Sequence, residues 1–502
     1  MPCFRADGWI STLVLYYITP TASEVCEISE PVEAGTSHPP KPEARSEPLA
    51  SRSRVNAFDV LVRGGLVLGP THVVAADLAI SDGLIVEIGP EVEGGATVEI
   101  DATGLHAFPG GVDPHVHLND PGTEWEGFST GTAAFAAGGG TCLFDMPLNA
   151  SPPTVDGASF DLKLAAAEGR AHADFCLWGG LVPGDPDRLD ELAERGVVGF
   201  KAFMCDTGMD EFPAADDLTL FEGMARAARL GLPVAVHAES DAITMGLTER
   251  ARRQGHTSMR DYLASRPAVA ELEAVSRAIL FAQETGCALH VVHVSTAAAA
   301  VLIAEASEGG ADVSCETCPQ YLLLTDEDAE RIGALAKCSP PIRPRAEVEA
   351  LWAEVLAGNI PMIASDHSPA PPELKRGDDA FAWWGGISGL QTLRGTVQAA
   401  AAEHGLELWD IARLTAEAAA TRFGLPRKGR LEIGYDADLV LVDLEREGRV
   451  HSPHLLYRHR QSPFDGYPTR GRVVRTMRRG NTVISGGNLV LNSTFGRIVR
   501  PE

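Results

Sequence analysis

Two kinds of hydrophobic pattern divide the chain. Near both ends, short runs of alternating apolar and polar residues are separated by Gly and Asp, which is typical of β-strands joined by tight turns. The first set is "FDVLVRGGLVL", "ADLAISDGLIVEIG" and "ATVEIDATG", and the second is "DADLVLVDLE" and "VVRTMRRGNTVISGGNLV". We predict that segments 56–108 and 425–495 form the two parts of one β-sandwich domain, split in the sequence by the long middle segment.

Residues 109–424 have a different rhythm, in which short apolar runs alternate with stretches of helical spacing such as "LTLFEGMARAARLG". Strands that alternate with helices imply a parallel sheet. The predicted strands are "GGVDPHVH", "TCLFDMP", "DFCLWGGL", "GVVGFKAF", "PVAVHAE", "ALHVVHVS", "DVSCETCP" and "PMIASDH". Eight parallel strands predict an α/β fold with a (β/α)8 barrel, which carries its chemistry at the carboxyl ends of the strands.

Residues that can bind a metal stand at the ends of several of these predicted strands. They are His115, His117, Lys201, His237, His293 and Asp366. His115 and His117 lie at positions i and i+2, so on a strand both imidazoles face the same way, about 7 Å apart. A single histidine is more often a packed or surface residue than a ligand, but chance rarely places four at corresponding strand ends. We therefore predict a metal site there.

The types of these residues suit the hydrolysis of an amide. That reaction needs a strong nucleophile and a Lewis acid, and two divalent ions about 3.5–4 Å apart supply both. Imidazole and carboxylate favour zinc, with cobalt, iron and manganese as alternatives. An ammonium at Lys201 would repel such ions. A carbamate, formed from its amine and carbon dioxide, would instead be an anion able to bridge them.

Composition limits the partners. A net charge of −27 and a pI near 4.9 argue against nucleic acid or an anionic membrane as the main partner. Nine cysteines among 502 residues do not suggest a disulfide scaffold. We therefore expect a cytoplasmic enzyme with reduced thiols and a small-molecule substrate.

The N-terminal segment, residues 1–55, has a different composition. Its apolar run from Trp9 to Ile18 is too short to span a bilayer. The charge of Asp7 cancels that of Arg5, so the net positive charge that usually precedes the apolar run of a signal peptide is missing. Residues 27–55 are rich in Pro, Ser, Glu and Ala without an apolar period. Such a composition cannot build a core, so we predict a disordered extension.

Long motifs resemble a known family. They include "GVDPHVHLNDPG", "GFKAFM", "VHAES", "HVVHVS", "CETCPQY", "AKCSPPIR" and "SDHSP", which are similar to those of the cyclic amidohydrolases of the amidohydrolase superfamily. Within that superfamily, "WEGFSTGTAAFAAGGGTCLFDMPLN", "GGLVP" and "WGGISGLQT" resemble the allantoinase family. The resemblance covers roughly residues 58–490.

The resemblance implies a barrel beside a β-sandwich, a dinuclear metal site and a homotetramer. It also implies a division of the ligands. The more exposed ion would be held by His237, His293 and the Lys201 carbamate, and the other by His115, His117, the same carbamate and Asp366. Asp366 would be the catalytic proton shuttle.

The substrate implied by the resemblance is allantoin, hydrolysed to allantoate. Dihydroorotases usually carry Arg two residues after the second histidine, where this chain has the neutral Asn119. Dihydropyrimidinases and hydantoinases usually carry Tyr shortly after the lysine, where this chain has Cys205 and Asp206. One departure from the family is Gln320 in place of a frequent His. We expect substrate contacts from Asn119, Ser339 and Ser368.

Two alternatives stay open. The chain is either an allantoinase or a hydantoinase or dihydropyrimidinase of broad specificity, and a substrate panel separates these. A non-catalytic relative that uses the fold for binding or assembly is the other class. Such proteins lose metal-binding residues, whereas this chain keeps all six.

Overall fold

The computed structural model describes residues 58–490 and 494–502, so the predicted extension 1–55 lies outside the described residues. The described chain opens with five strands: β1 (Phe58–Leu68), β2 (Val73–Ser81), β3 (Leu84–Gly89), β4 (Ala96–Asp101) and β5 (His106–Pro109). A two-residue turn, Asp82-Gly83, joins β2 to β3, with φ of 51° and 79°. Asp-Gly tolerates positive φ at both positions, as the tight hairpin turn requires.

The middle of the chain alternates strands and helices, as the sequence predicts. Its strands are β6 (Gly111–Val116), β7 (Gly140–Asp145), β8 (Asp174–Leu177), β9 (Gly179–Gly180), β10 (Phe200–Phe203), β11 (Val234–His237), β12 (Leu289–Val291), β13 (Val313–Thr317) and β14 (Met362–Ile363). Its helices are α1 (Phe128–Ala137), α2 (Gly157–Ala167), α3 (Asp187–Glu194), α4 (Asp217–Leu230), α5 (Asp241–Arg253), α6 (Met259–Ala264), α7 (Ala268–Thr285), α8 (Ala297–Glu308), α9 (Pro319–Leu323), α10 (Asp326–Ile332), α11 (Arg345–Ala357), α12 (Leu393–Glu403), α13 (Leu408–Ala412) and α14 (Ala418–Arg422). Among the described residues, no helix is long and apolar enough to cross a bilayer.

The strands of this middle segment pair in parallel. Strands β6, β7 and β8 form one sheet, and β9 to β14 form another in sequence order. The predicted third strand is divided at Trp178, because the Trp178 amide donates to Asp145 on β7 while the Gly179 amide donates to Gly199 before β10. Beyond β14, a parallel bridge joins His367 to Val116, and the His117 amide donates to the His367 carbonyl at 2.7 Å.

Four strands complete the described chain: β15 (Leu439–Arg449), β16 (Pro468–Arg478), β17 (Asn481–Ser485) and β18 (Asn488–Leu489). They join the N-terminal strands in one nine-stranded sheet, in the order β18-β17-β16-β15-β5-β1-β2-β3, with β4 paired to β1. The link between the two segments is the antiparallel pair β5–β15, where Ala107 lies opposite Leu441. Both flanking segments therefore contribute to a single sheet.

Two apolar cores position the middle strands. One contains helix residues and the strand side chains that face them, among them Leu143, Phe175 and Val236. The other contains alternate strand residues such as Phe144 and Trp178, both fully buried, packed against Phe423 at the end of α14. The ring centroids of Phe144 and Trp178 each lie 5.3 Å from that of Phe423. Alternation along each strand thus sends successive side chains into different cores.

A buried ion cluster ties the middle segment to the nine-stranded sheet. The Lys428 Nζ lies 2.7 Å from Asp174 on β8, 2.8 Å from Asp436 and 2.7 Å from Asp438. Burial alone would lower the pKa of Lys428, but the charges of Asp438 and Asp174 raise it above its usual value. Arg478 and Arg479 also contact Asp174, and the half-exposed Arg427 lies 3.7 Å from Asp436, so Lys428 is the one cation that contacts all three carboxylates among the described residues.

This arrangement predicts the effect of removing the lysine. Lys428→Met keeps much of the side-chain volume but leaves the carboxylates under-neutralised, and breaking a buried pair costs about 3–5 kcal/mol. We expect a large fall in the denaturation midpoint, measured by circular dichroism. Arg446→Met is the control, since Arg446 forms an exposed pair with Asp443 that is worth about 0–1 kcal/mol. Equal midpoints for the two variants would contradict this role.

Candidate metal centre

The six residues predicted to bind metal lie together at the carboxyl ends of the middle strands. Lys201 is on β10, His115 is on β6 and His237 ends β11. His117, His293 and Asp366 follow β6, β12 and β14 by one to three residues. All six are buried, from Lys201 at 0% exposure to Asp366 at 7%. Parallel strands that end at one edge bring together residues far apart in sequence.

His115, His117 and Asp366 form one half of the cluster. The Asp366 Oδ1 lies 3.3 Å from the His115 Nε2 and 3.5 Å from the His117 Nε2. One ligand atom from each residue lies within 4.8 Å of the others, which suits a shared cation. Burial lowers the pKa of His117 to about 4, so its imidazole is neutral, the form that binds metal.

His237 and His293 form the other half. The His237 Nδ1 and the His293 Nε2 lie 3.0 Å apart, so these two nitrogens converge on one point. Burial lowers the pKa of both imidazoles, which keeps them neutral. Phe203 stacks on His237 with ring centroids 4.6 Å apart and covers one face of this half.

Lys201 has no hydrogen-bonding partner for its buried Nζ among the described residues. Burial lowers its pKa to about 7, so a large share of the amine is neutral near neutral pH. A buried amine without a partner is costly. The His117 Nδ1 and the His293 Nδ1 are buried and unpartnered as well. Neutral imidazoles, a carboxylate and a partnerless amine at one place fit a site for divalent cations.

Two buried glutamates orient the histidines. The His115 Nδ1 lies 2.5 Å from Glu316, and the His237 Nε2 lies 2.9 Å from Glu239. Each bond leaves the other ring nitrogen free to face the centre. Burial raises the pKa of Glu316, but the hydrogen bonds and charges of His115 and His290 together outweigh burial and lower that pKa to about 2. Such carboxylate–histidine pairs fix the ring tautomer of a metal ligand.

These glutamates are functional residues that the sequence reasoning missed. Glu239 lies two residues after His237, so strand periodicity could have placed it on the same side. Glu316 is harder to find, because it acts across the sheet from β13. Its second oxygen lies 3.1 Å from the His290 Nε2, and His290 in turn contacts the Ser314 Oγ at 2.9 Å.

The backbone at the centre is strained at three positions. Asn119 has a φ of 60°, and His293 and Asp366 each have a φ of 42°. Side chains other than glycine occupy this region at a cost of about 1–3 kcal/mol each, and such residues cluster at functional sites. The two that belong to the metal cluster, His293 and Asp366, turn sharply just after their strands, and both line the cavity that opens onto the cluster.

A cavity of about 360 Å³ opens onto the cluster and contains Ser339 and Ser368 in its wall. The Ser339 Oγ is 2.7 Å from the Tyr262 hydroxyl. Asn119 is not among the cavity residues, because its Nδ2 donates to the Pro369 carbonyl at 3.1 Å. Gln320 also lies outside the cavity wall.

The cavity wall also has cations that the sequence did not single out for it, and aromatic rings. Arg252 and Arg266 line it, and Arg266 contacts Glu239 at 2.5 Å. Trp384 lines the opposite part and meets Trp125 edge-to-face, with ring centroids 4.8 Å apart. The cavity thus combines the polar donors and apolar surfaces that hold a small polar ring.

Known proteins resemble the chain over most of its length. The model of the amidohydrolase family matches residues 107–483. An allantoinase of Rubrobacter xylanophilus is 58% identical, with 89% of this chain and 99% of the relative covered. An allantoinase of Deinococcus radiodurans is 52% identical over the same shares, 89% and 99%.

Solved structures of hydantoinases and dihydropyrimidinases share the fold of this chain. The L-hydantoinase (dihydropyrimidinase) of Arthrobacter aurescens superposes with a TM-score of 0.86 at 36% identity, covering 88% of this chain and 100% of that one. The dihydropyrimidinase of Brevibacillus agri gives a TM-score of 0.82 at 32% identity, covering 88% and 98%. The relatives from Rubrobacter xylanophilus and Deinococcus radiodurans are both allantoinases, and the chain belongs to the amidohydrolase family.

Proposed function

We propose that this cyclic amide hydrolase opens the hydantoin ring of allantoin to give allantoate. The observation that carries the proposal is the convergence of six buried residues, two of them oriented by glutamates, at the strand ends. All of them except Lys201 line the cavity of about 360 Å³. The identity of 58% to an allantoinase supports the choice of substrate. The ring amide would lie against the cluster, and its ureido substituent would point toward the cavity mouth.

The cluster would hold two divalent ions. His237 and His293 would bind one, His115, His117 and Asp366 the other, and a carbamate on Lys201 would bridge them. When bound, the ions polarise the ring carbonyl and make a water acidic enough to attack it at neutral pH. Zinc suits these ligands, and cobalt, iron and manganese are the alternatives.

The carbamate is supported by the surroundings of Lys201. Its Nζ is buried without a partner, and its lowered pKa favours the neutral amine, the form that reacts with carbon dioxide. A carbamate would convert a buried, partnerless amine into an anion between two cations. The carbamate would thus remove both the unsatisfied N–H donor of Lys201 and the repulsion between its ammonium and the cations.

Asp366 would move the proton. Its Oδ1 lies within 3.5 Å of the ring nitrogens of His115 and His117, at the cavity floor. It takes a proton from the attacking water as the new carbon–oxygen bond forms. When the ring carbon–nitrogen bond breaks, it gives the proton to the leaving nitrogen. The water oxygen ends in the new carboxyl group, one water proton ends on the ureido nitrogen, and the other passes to solvent as the carboxyl group ionises to the carboxylate, so atoms and charge balance.

Substrate contacts would come from Ser339 and Ser368 in the cavity wall. Asn119 would affect substrate binding indirectly, by positioning another residue. Its amide holds the Pro369 carbonyl at 3.1 Å and so fixes the segment that carries Ser368. The neutral amide matches a neutral substrate, since it adds no charge that would favour a carboxylate.

Membership of the amidohydrolase family also supports a closed barrel, a β-sandwich and an oligomer. The bridge between His367 and Val116 supports closure of the middle strands into a (β/α)8 barrel, with Trp178 within the third strand. The nine-stranded sheet would fold over as the β-sandwich predicted from both flanking segments. We propose a cytoplasmic homotetramer, and light scattering that gave the mass of a single chain would refute the tetramer.

A substrate panel tests the function. Purified, metal-loaded protein should hydrolyse allantoin with a higher kcat/KM than hydantoin, dihydrouracil or dihydroorotate, measured by release of the ring-opened product. Comparable rates on hydantoin and dihydrouracil would favour the broad-specificity alternative. The similarity to the Arthrobacter aurescens L-hydantoinase, at 36% identity, is what supports that alternative. No turnover of any member would refute enzyme function.

Lys201→Ala tests the bridging ligand. The substitution removes an anion from between two dications, so both metal content, measured by elemental analysis, and allantoin hydrolysis should collapse. Acetate at high concentration should restore part of the activity by occupying the vacated space. Lys201→Arg is the control, because a guanidinium forms no such carbamate and leaves no space for acetate. Two retained ions with near-normal turnover in Lys201→Ala would show that the lysine is no ligand.

Asp366→Asn tests the proton shuttle. Asparagine keeps the shape and one oxygen ligand but cannot accept the proton, so kcat should fall by at least about 10²-fold. Metal content should fall much less than kcat. Unchanged turnover would assign the proton transfer to another group.

A further inference from the structure

A second cavity, of about 370 Å³, lies where α12 meets the nine-stranded sheet. It shares no wall residue with the cavity at the metal centre. Its wall contains five basic residues and no aspartate or glutamate; the basic residues are Arg394, Arg449, His451, His454 and Arg472. The chain as a whole has a net charge of −27. The titratable side chains of this wall are therefore all basic, although the chain as a whole is acidic.

Arg394 is the basic residue at the base of this cavity. It is only 8% exposed, and the Nε and Nη2 of its guanidinium are buried without a partner among the described residues. One face of the guanidinium lies over the Phe108 ring, 3.9 Å from the centroid. Burial without any carboxylate lowers the pKa of Arg394 to about 9. The stack covers a face but satisfies none of the N–H donors, which lie in the guanidinium plane.

Other buried arginines differ in this respect. Arg343 donates to Ser295 and to a backbone carbonyl and lies 3.7 Å from Glu271. Arg478 donates to two carbonyls and contacts Asp174. Buried charges are normally paired in this way. Arg394 thus lacks an anion that the described chain supplies to its counterparts.

The N-terminus of α12 favours an anion at the cavity, whereas the nearby Gln398 side chain lies outside the cavity wall. Helix α12 begins at Leu393 with Thr392 as its N-cap, no acidic residue in its first turn, and no side-chain cap hydrogen bond. Thr392 and Gly395 line the cavity, so the positive end of the helix dipole faces it. Gln398, one turn beyond Arg394, is 1% exposed and both its amide atoms lack a partner. A Cβ on the cavity residue Gly471 would lie 2.7 Å from its Nε2.

We propose that this cavity binds a small oxyanion, a phosphate or carboxylate group, with Arg394 at its base. Arg449 and Arg472 at the mouth attract the anion, and the α12 N-terminus adds its dipole. The oxyanion supplies the charge partner that Arg394 lacks among the described residues, since guanidinium and oxyanion pair through charge-assisted hydrogen bonds. The site is independent of the metal centre and of the proposed reaction.

Titration calorimetry on the full-length, metal-loaded protein tests the proposal with inorganic phosphate and, separately, succinate, using chloride as the reference salt. We expect saturable binding of at least one probe, and the stronger of the two identifies the group. Arg394→Met keeps the apolar stem against Phe108 and should weaken that binding about tenfold or more, since charge-assisted bonds are lost. Arg475→Met is the matched control, because Arg475 lies on β16 but does not line the cavity.

Thermal midpoints separate binding from structure. The wild-type midpoint should rise more with the bound probe than that of Arg394→Met, whose remaining rise reports binding at the metal centre. Without anion, the midpoint of Arg394→Met should equal or exceed the wild-type value. Binding to the metal centre would persist in Arg394→Met. If Arg394→Met does not fold, Arg472→Met, which removes an exposed cation from the same wall, should still weaken binding. Absence of saturable binding in the wild type, or equal binding in Arg394→Met, would overturn the proposal.

Discussion

The proposed metal centre depends on the burial of the Lys201 amine at a place where no group of the described chain accepts a hydrogen bond from it. A side chain with that need persists in a folded protein only when something else satisfies it. Strands β6, β10, β11, β12 and β14 deliver the imidazoles and the carboxylate of the cluster around this amine. Their shared edge, rather than any local motif, makes the lysine a bridging group in the proposed site.

The same rule orders the other buried charges. Glu239 and Glu316 are tolerated in the interior because each accepts hydrogen bonds from histidines, and in return each fixes which ring nitrogen faces the centre. Lys428 is tolerated because three carboxylates surround it and join two parts of the fold. Arg394 has no such partner, which is why its cavity points to a ligand.

Much of this was predictable from the sequence. Periodicity gave the alternating middle and the strand-rich ends, because each pattern reports which side of an element is buried. The six cluster residues could be found because chemistry-bearing side chains recur at strand ends. The division of the third strand at Trp178 could not be predicted, since it depends on backbone hydrogen bonds to two different neighbouring segments. Glu316 was missed for the same reason, as its role exists only across the sheet.

Substrate contacts were the least predictable level. Asn119 was expected to touch substrate, yet its side chain is committed to the Pro369 carbonyl, a choice set by a backbone turn with a φ of 60°. Arg252 and Arg266 were not singled out, although both line the cavity. Loop conformation decides such contacts, and hydrophobic periodicity carries no information about it.

The most direct test of the central claim is anomalous X-ray diffraction at a metal absorption edge from crystals of the purified protein. Two peaks flanking the Lys201 Nζ, with extra density joined to that nitrogen, are the predicted result. One peak would lie beside His237 and His293, the other beside His115, His117 and Asp366. A single peak, or peaks with an unmodified lysine ammonium turned away from them, would contradict the account.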